Sequence, residues 1–185
     1  MNYKDLILNW HNKASDEDYF SKFVFEYLAF IAHLKTQLFD STGTDRETIQ
    51  KLKQNQPIKE RYLSKIQTKP SLKSDWERIK REFDSIRLGN ASRNLNSVEE
   101  IKWWNCSHNR LEEKTDEEKR KLKGVIHSLE DWENMVEFWH SIRNNLFHGA
   151  KNPENERDQF AVKYAYNTLR ELMEIMLIEQ SSNNT

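Results

Sequence analysis

From position 16 to 39, apolar residues recur at Phe20, Phe23, Val24, Tyr27, Leu28, Ile31, Leu34 and Leu38. Steps of three and four residues gather them on one broad side of an α-helix. Ser15, followed by Asp16, Glu17 and Asp18, supplies an N-cap and an acidic first turn. Two further segments carry the same period. In 128–148 the stripe is Leu129, Trp132, Met135, Val136, Trp139, Ile142 and Leu146, opened by Ser128 and stopped by Gly149 and Pro153. In 155–179 it is Phe160, Ala161, Tyr164, Thr168, Leu169, Leu172, Ile175 and Met176. Shorter helices are predicted from Asp45 to Asn55, between Pro57 and Pro70, and from Ser74 or Asp75 to Leu88, the last with Trp76, Ile79, Phe83, Ile86 and Arg87 along one side. The stretch GNASRNLNS (89–97) reads as a loop. Ser97-Val98-Glu99-Glu100 is a capping box leading into Ile101, Trp103 and Trp104, and Thr115 opens a charged helix toward His127. Neither an alternating strand pattern nor an internal repeat is found. The expectation is one all-α domain over 1–185, with three long helices (16–39, 128–148, 155–179) and a helical insertion at approximately 41–127.

Composition narrows this only a little. With 4 Gly and 3 Pro in 185 residues, a turn-rich β architecture is disfavoured, and the length suffices for a sizeable core. No apolar run approaches the ~20 residues of a membrane span, so no membrane association is expected. The start, MNYKDLILNW, lacks the apolar core of a signal peptide, and Cys106 has no second cysteine to pair with; a reducing, cytoplasmic setting is expected. Charge adds an asymmetry. Between Arg46 and Arg93 stand 13 Lys/Arg against 6 Asp/Glu, although the whole chain is at −1. Such a basic middle fits a polyanionic partner, and it fits equally a set of charged helices that solvate themselves.

The candidate chemistry lies in SIRNNLFHGAK, residues 141–151. Arg143 follows Trp139 by four and Val136 by seven, which sets it on the edge of the apolar stripe. His140, Asn144 and His148 fall at i, i+4 and i+8 on the flank away from that stripe. A cation leaning into a core is costly unless it is paired or functional, so an internal salt bridge and a site are both open from spacing alone. Arg143-Asn144-Asn145-Leu146-Phe147-His148, at a helix end and before Gly149, resembles the R-[N/D/H/Q]-x-x-x-H signature of the HEPN family. The resemblance covers the first long helix and residues 128–179 and leaves out the middle of the chain.

That resemblance implies an antiparallel helical bundle and a homodimer in which two Arg–His pairs share a cleft. It implies a metal-independent endoribonuclease with no cofactor, using the RNA 2′-hydroxyl as nucleophile. By position, Arg143 stabilises the phosphate, His148 is the acid or base and Asn144 orients; the residue types suit those roles. Toxin or phage-defence effectors are common in the family, some with a nucleotidyltransferase antitoxin as partner. Other members bind RNA, a nucleotide or a protein without cutting. His140, Asn145, Lys151, Arg87 and Arg93 are further candidates for supporting the motif or touching substrate. In a straight helix Arg143 and His148 point about 140° apart, so either the helix breaks near Phe147 or each residue works with its symmetry mate.

Other constellations are weaker. Glu137-x-x-His140 is half of a di-iron carboxylate site, and no second copy exists. Cys106 and His108 have no partners for a zinc set. Trp103-Trp104 suits base stacking or, more simply, one core and one half-exposed residue.

Overall fold

The computed structural model describes residues 3–14, 18–40, 42–85, 126–149 and 151–182. These form α1 (Tyr3–Lys13), α2 (Tyr19–His33), a π-helical turn continuing α2 (Leu34–Leu38), α3 (Asp45–Lys53), α4 (Gln56–Thr68), α5 (Pro70–Ser85), α6 (Trp132–Phe147) and α7 (Glu156–Ser182). The chain is all-α, without a strand among the described residues. No described helix is long and apolar enough to cross a membrane. Arg87, Arg93, Trp103, Trp104, Cys106, His108 and the helices expected after Ser97 and Thr115 lie outside the described residues.

Local chemistry explains the helix ends. Asp18 caps α2, its carboxylate accepting from the Phe20 and Ser21 amides at 2.8 and 3.3 Å. Thr44 caps α3 in a full capping box with Glu47, so that Asp45 is the first helical residue. Asn55 caps α4 ahead of Pro57, and Pro70 at the start of α5 leaves Lys69 in the extended conformation usual before proline. This start is several residues earlier than Ser74. Helix α1 was not expected from the pattern. It is short, and it buries Ile7 and His11 against α2. The π turn is closed by the Phe39 amide on the Leu34 carbonyl at 3.0 Å, and Asp40 (φ 41°) ends it.

α2 lies along α7, while α3, α4 and α5 pack on α6 and α7. Those three helices come from the segment 41–127, so its described part shares the core with the long helices. Trp139 stands at the centre, its ring 5.7 to 6.4 Å from those of Phe30, Tyr62, Trp76 and Trp132. Three polar edges of this cluster are bonded, while the buried Trp132 indole nitrogen has no hydrogen-bond partner among the described residues. The Trp139 indole donates to Thr168 Oγ1 at 2.9 Å, Trp76 donates to the Tyr62 hydroxyl at 3.0 Å, and Tyr62 donates to the Thr168 carbonyl at 2.8 Å. Buried indoles and phenols are tolerated when such partners exist. The basic middle also has an internal use. Lys65 reaches Glu171 and Glu174, Lys69 reaches Glu171, and Arg46 and Lys53 both reach Glu137.

Candidate functional site

α3 packs on α6 and touches the π turn that continues α2, and the polar residues of that seam form two tiers. The inner tier is closed at its centre, with Arg46 alone reaching solvent at 31% exposure. Glu137, with its side chain 3% exposed, takes Lys53 (2% exposed) on one oxygen and Arg46 on the other. Next to it, His140 Nδ1 shares a hydrogen bond with the Tyr27 hydroxyl at 3.0 Å. Burial lowers the His140 pKa to about 4, with Glu137 opposing and Arg46, Arg143 and Lys53 reinforcing. Burial likewise holds the Tyr27 phenol well above its ordinary range. The imidazole is therefore neutral at pH 7. Its position corrects the expectation from spacing that His140 faces away from the apolar stripe. Residues 134–142 of α6 are all buried, because α3 covers the side that a surface helix would leave to water.

The outer tier reaches solvent. Arg143 Nη2 lies 3.3 Å from Asp45 Oδ2, and its Nη1 donates to Asn144 Oδ1 at 3.0 Å. The guanidinium sits over the Phe147 ring at 4.7 Å and the Tyr27 ring at 5.9 Å. The other oxygen of Asp45 is held by Lys35, from the π turn, at 2.7 Å. The side chains of Lys35, Asp45 and Arg143 are 29%, 27% and 30% exposed.

Beyond Phe147 the helix breaks. His148 has φ −94° and ψ 10°, with its amide on the Asn144 carbonyl; Gly149 follows at φ +69°, with its amide on the Leu146 carbonyl. Such a left-handed residue after a helix favours glycine. Gly149→Ala is expected to cost about 1–2 kcal/mol in a denaturant melt through backbone strain alone, since an added Cβ meets no atom. The His148 side chain is exposed and has no hydrogen bond or ion pair among the described residues.

The expected residues are thus only partly brought together. Arg143 and Asn144 touch; Asn144 Oδ1 faces Arg143, and no hydrogen bond joins either to the His148 ring. Asn145 is buried, and Lys151 is tied to Asp158. Glu137 and His140 are each engaged with other side chains, which leaves neither as a metal ligand, and no group of three or more His, Cys, Asp or Glu suited to a metal occurs among the described residues. Lys35, Asp45 and Tyr27 were not foreseen as neighbours of the motif; they lie about a hundred positions upstream, and no local pattern links them to it. A cleft of about 640 Å³ lies elsewhere, between the starts of α2 and α7, lined by Tyr19, Phe20, Phe160, Lys163 and Tyr164 among others and by no motif residue. Comparison of the chain with known protein families, curated proteins and solved structures gave no match.

Proposed function

We propose that the chain is a HEPN-type, metal-independent endoribonuclease whose site is completed by a second copy. The observation that carries this is the exposed His148, without a side-chain partner among the described residues, at the broken end of α6, five residues beyond a guanidinium open to solvent on one side. A free imidazole and a fixed guanidinium suit RNA cleavage. One His148 takes the proton from the 2′-hydroxyl as its oxygen bonds to phosphorus. The partner's His148 gives a proton to the departing 5′-oxygen, leaving a 2′,3′-cyclic phosphate and a 5′-hydroxyl. Arg143 offsets the charge gained by the phosphate. Asn144 holds the guanidinium, a role it takes here in place of orienting His148. A toxin or defence effector, with or without an antitoxin partner, is the setting the resemblance suggests.

The Asp45–Arg143 pair favours a second reading, in which the arginine is structural and the module only binds RNA, a nucleotide or a partner protein. Both are tested by incubating mixed-sequence RNA with the protein in EDTA. Cleavage is expected, reduced by ~10²–10⁴ in His148→Ala and by ~10²–10³ in Arg143→Ala, with both variants folded. RNA that stays intact at high protein concentration would sink the nuclease, and retained RNA binding would then leave the second reading.

A further inference from the structure

We infer that Asp45 is an internal occupant of the phosphate site, and that an RNA phosphate replaces it between Lys35 and Arg143. This rests on the proposed function, since it takes Arg143 as the residue that meets phosphate. It adds Lys35 as a second phosphate-holding cation and makes Asp45 the competitor that regulates entry.

The two tiers of the seam supply the argument by contrast. Of the inner tier Arg46 reaches solvent at 31% exposure, but the Glu137 carboxylate and Lys53 are closed off at 2–3%, so no outside anion reaches the position that Glu137 holds. Asp45 carries the same kind of double pairing, one oxygen on Lys35 and one on Arg143, yet all three side chains are more than a quarter exposed. A phosphodiester also has one negative charge and two free oxygens, so it matches what Asp45 presents to the two cations. The Asp45–Arg143 contact is poorly made. It is 3.3 Å through one nitrogen, where a charge-assisted pair is usually ~2.7–2.9 Å and, with arginine, often bidentate. The guanidinium therefore keeps donor capacity for a ligand. A displaced Asp45 is not stranded, because it is the first residue of the nine-residue α3, where the helix dipole favours an anion. Charge points the same way: the seam holds Lys35, Arg46, Lys53 and Arg143 against Asp45 and Glu137, a surplus of two positive charges. Phe147, stacked on Arg143 and 58% exposed, offers a face to a base and favours a polynucleotide over free phosphate.

The test measures binding of a labelled single-stranded RNA 12-mer by the full chain carrying His148→Ala, so that cleavage does not intervene. Asp45→Asn is expected to tighten binding about tenfold, as when an occupant present nine-tenths of the time is removed. Glu60→Gln, which deletes one exposed charge on α4, is expected to change it less than twofold. Lys35→Ala is expected to weaken binding, lower the salt dependence by about one phosphate contact, and cancel most of the Asp45→Asn gain in the double variant. Excess inorganic phosphate is expected to compete only weakly. Should Asp45→Asn fail to fold, Lys35→Ala against a Lys59→Ala control still decides the matter. The inference is overturned if folded Asp45→Asn binds no more tightly than Glu60→Gln, or if Lys35→Ala binds like Lys59→Ala. The two proposals fail separately. Cleavage by the His148-containing chain with unaltered Asp45→Asn binding removes only this inference; tighter binding by Asp45→Asn with no cleavage in any variant removes only the nuclease.

Discussion

Glu137→Ala is expected to destabilise the fold by about 3–5 kcal/mol, a large part of the ~5–15 kcal/mol typical of a domain. The carboxylate is the shared partner of Arg46 and Lys53. Arg46, 31% exposed, can turn to water when Glu137 is lost; Lys53, 2% exposed, cannot. The cost lies mainly in a buried ammonium that has lost its carboxylate and much less in the attraction removed, because a buried pair pays nearly as much in desolvation as it regains in contact. The double variant Glu137→Leu with Lys53→Met should therefore recover most of the stability that Glu137→Ala loses. Urea melts at pH 7 measure both, with the slope checked for constancy so that midpoints can be compared. A loss under about 1 kcal/mol in the single variant would mean that the Lys53 ammonium does not depend on Glu137, and the central role of that carboxylate would have to be abandoned. The result also bears on the site. Arg143 is six residues further along α6, and its partner Asp45 is on the same helix, α3, as Arg46 and Lys53, so cleavage assays on Glu137 variants report folding before they report chemistry.

The parts of the fold that could be read from the sequence are those governed by local period. Phe23, Tyr27 and Leu34 along α2 and its π turn, Trp132, Met135, Val136, Trp139 and Ile142 on α6, and Leu169, Leu172 and Met176 on α7 fall inward as their spacing predicts, while Val24, Leu28, Ile31 and Ile175 are only partly buried. Phe30 and Phe138 also lie in the core although they sit off those stripes, because α2 and α6 are covered on more than one side. A single-stripe expectation presumes one wet face. The same presumption put His140 outside. The break at His148 was one of two outcomes open from the 140° separation, and Gly149 was its signal. What surrounds Arg143 was not legible, since Lys35 and Asp45 approach it only through the packing of α2 and α3 on α6. The basic middle had two meanings in the sequence. The ion pairs of Arg46, Lys53, Lys65 and Lys69 with acids of α6 and α7 account for part of it within the chain, so local charge excess is a weaker pointer to RNA than it first was.

Acidification is expected to unfold the protein through two histidines before most carboxylates are protonated. Burial lowers the pKa of His33 to about 4, and His33 Nδ1 has no hydrogen-bond partner among the described residues. His140 is lowered to about 4 mainly by the same cause. In the unfolded chain each returns to its ordinary value of 6.5. Between 6.5 and 4 the unfolded chain binds protons that the folded chain refuses, so stability is full above pH 6.5 and is lost as the pH falls toward 4. At about 1.4 kcal/mol per pH unit for each site, the loss approaches ~3 kcal/mol per histidine at the bottom of the window. Carboxylates in ion pairs add to the fall below pH 5, which is why the informative comparison is made above it. His33→Leu removes an unpaired buried nitrogen as well as a titrating group. Its urea midpoint should exceed that of the wild type by a margin that widens steadily from pH 6.5 to 5. His140→Leu should show the same reduced acid sensitivity but a lower midpoint at pH 7.5, because it leaves the buried Tyr27 hydroxyl without its partner. If the wild type and His33→Leu lose stability in parallel over that range, His33 takes up its proton as readily in the folded chain as in the unfolded one, and burial does not lower its pKa.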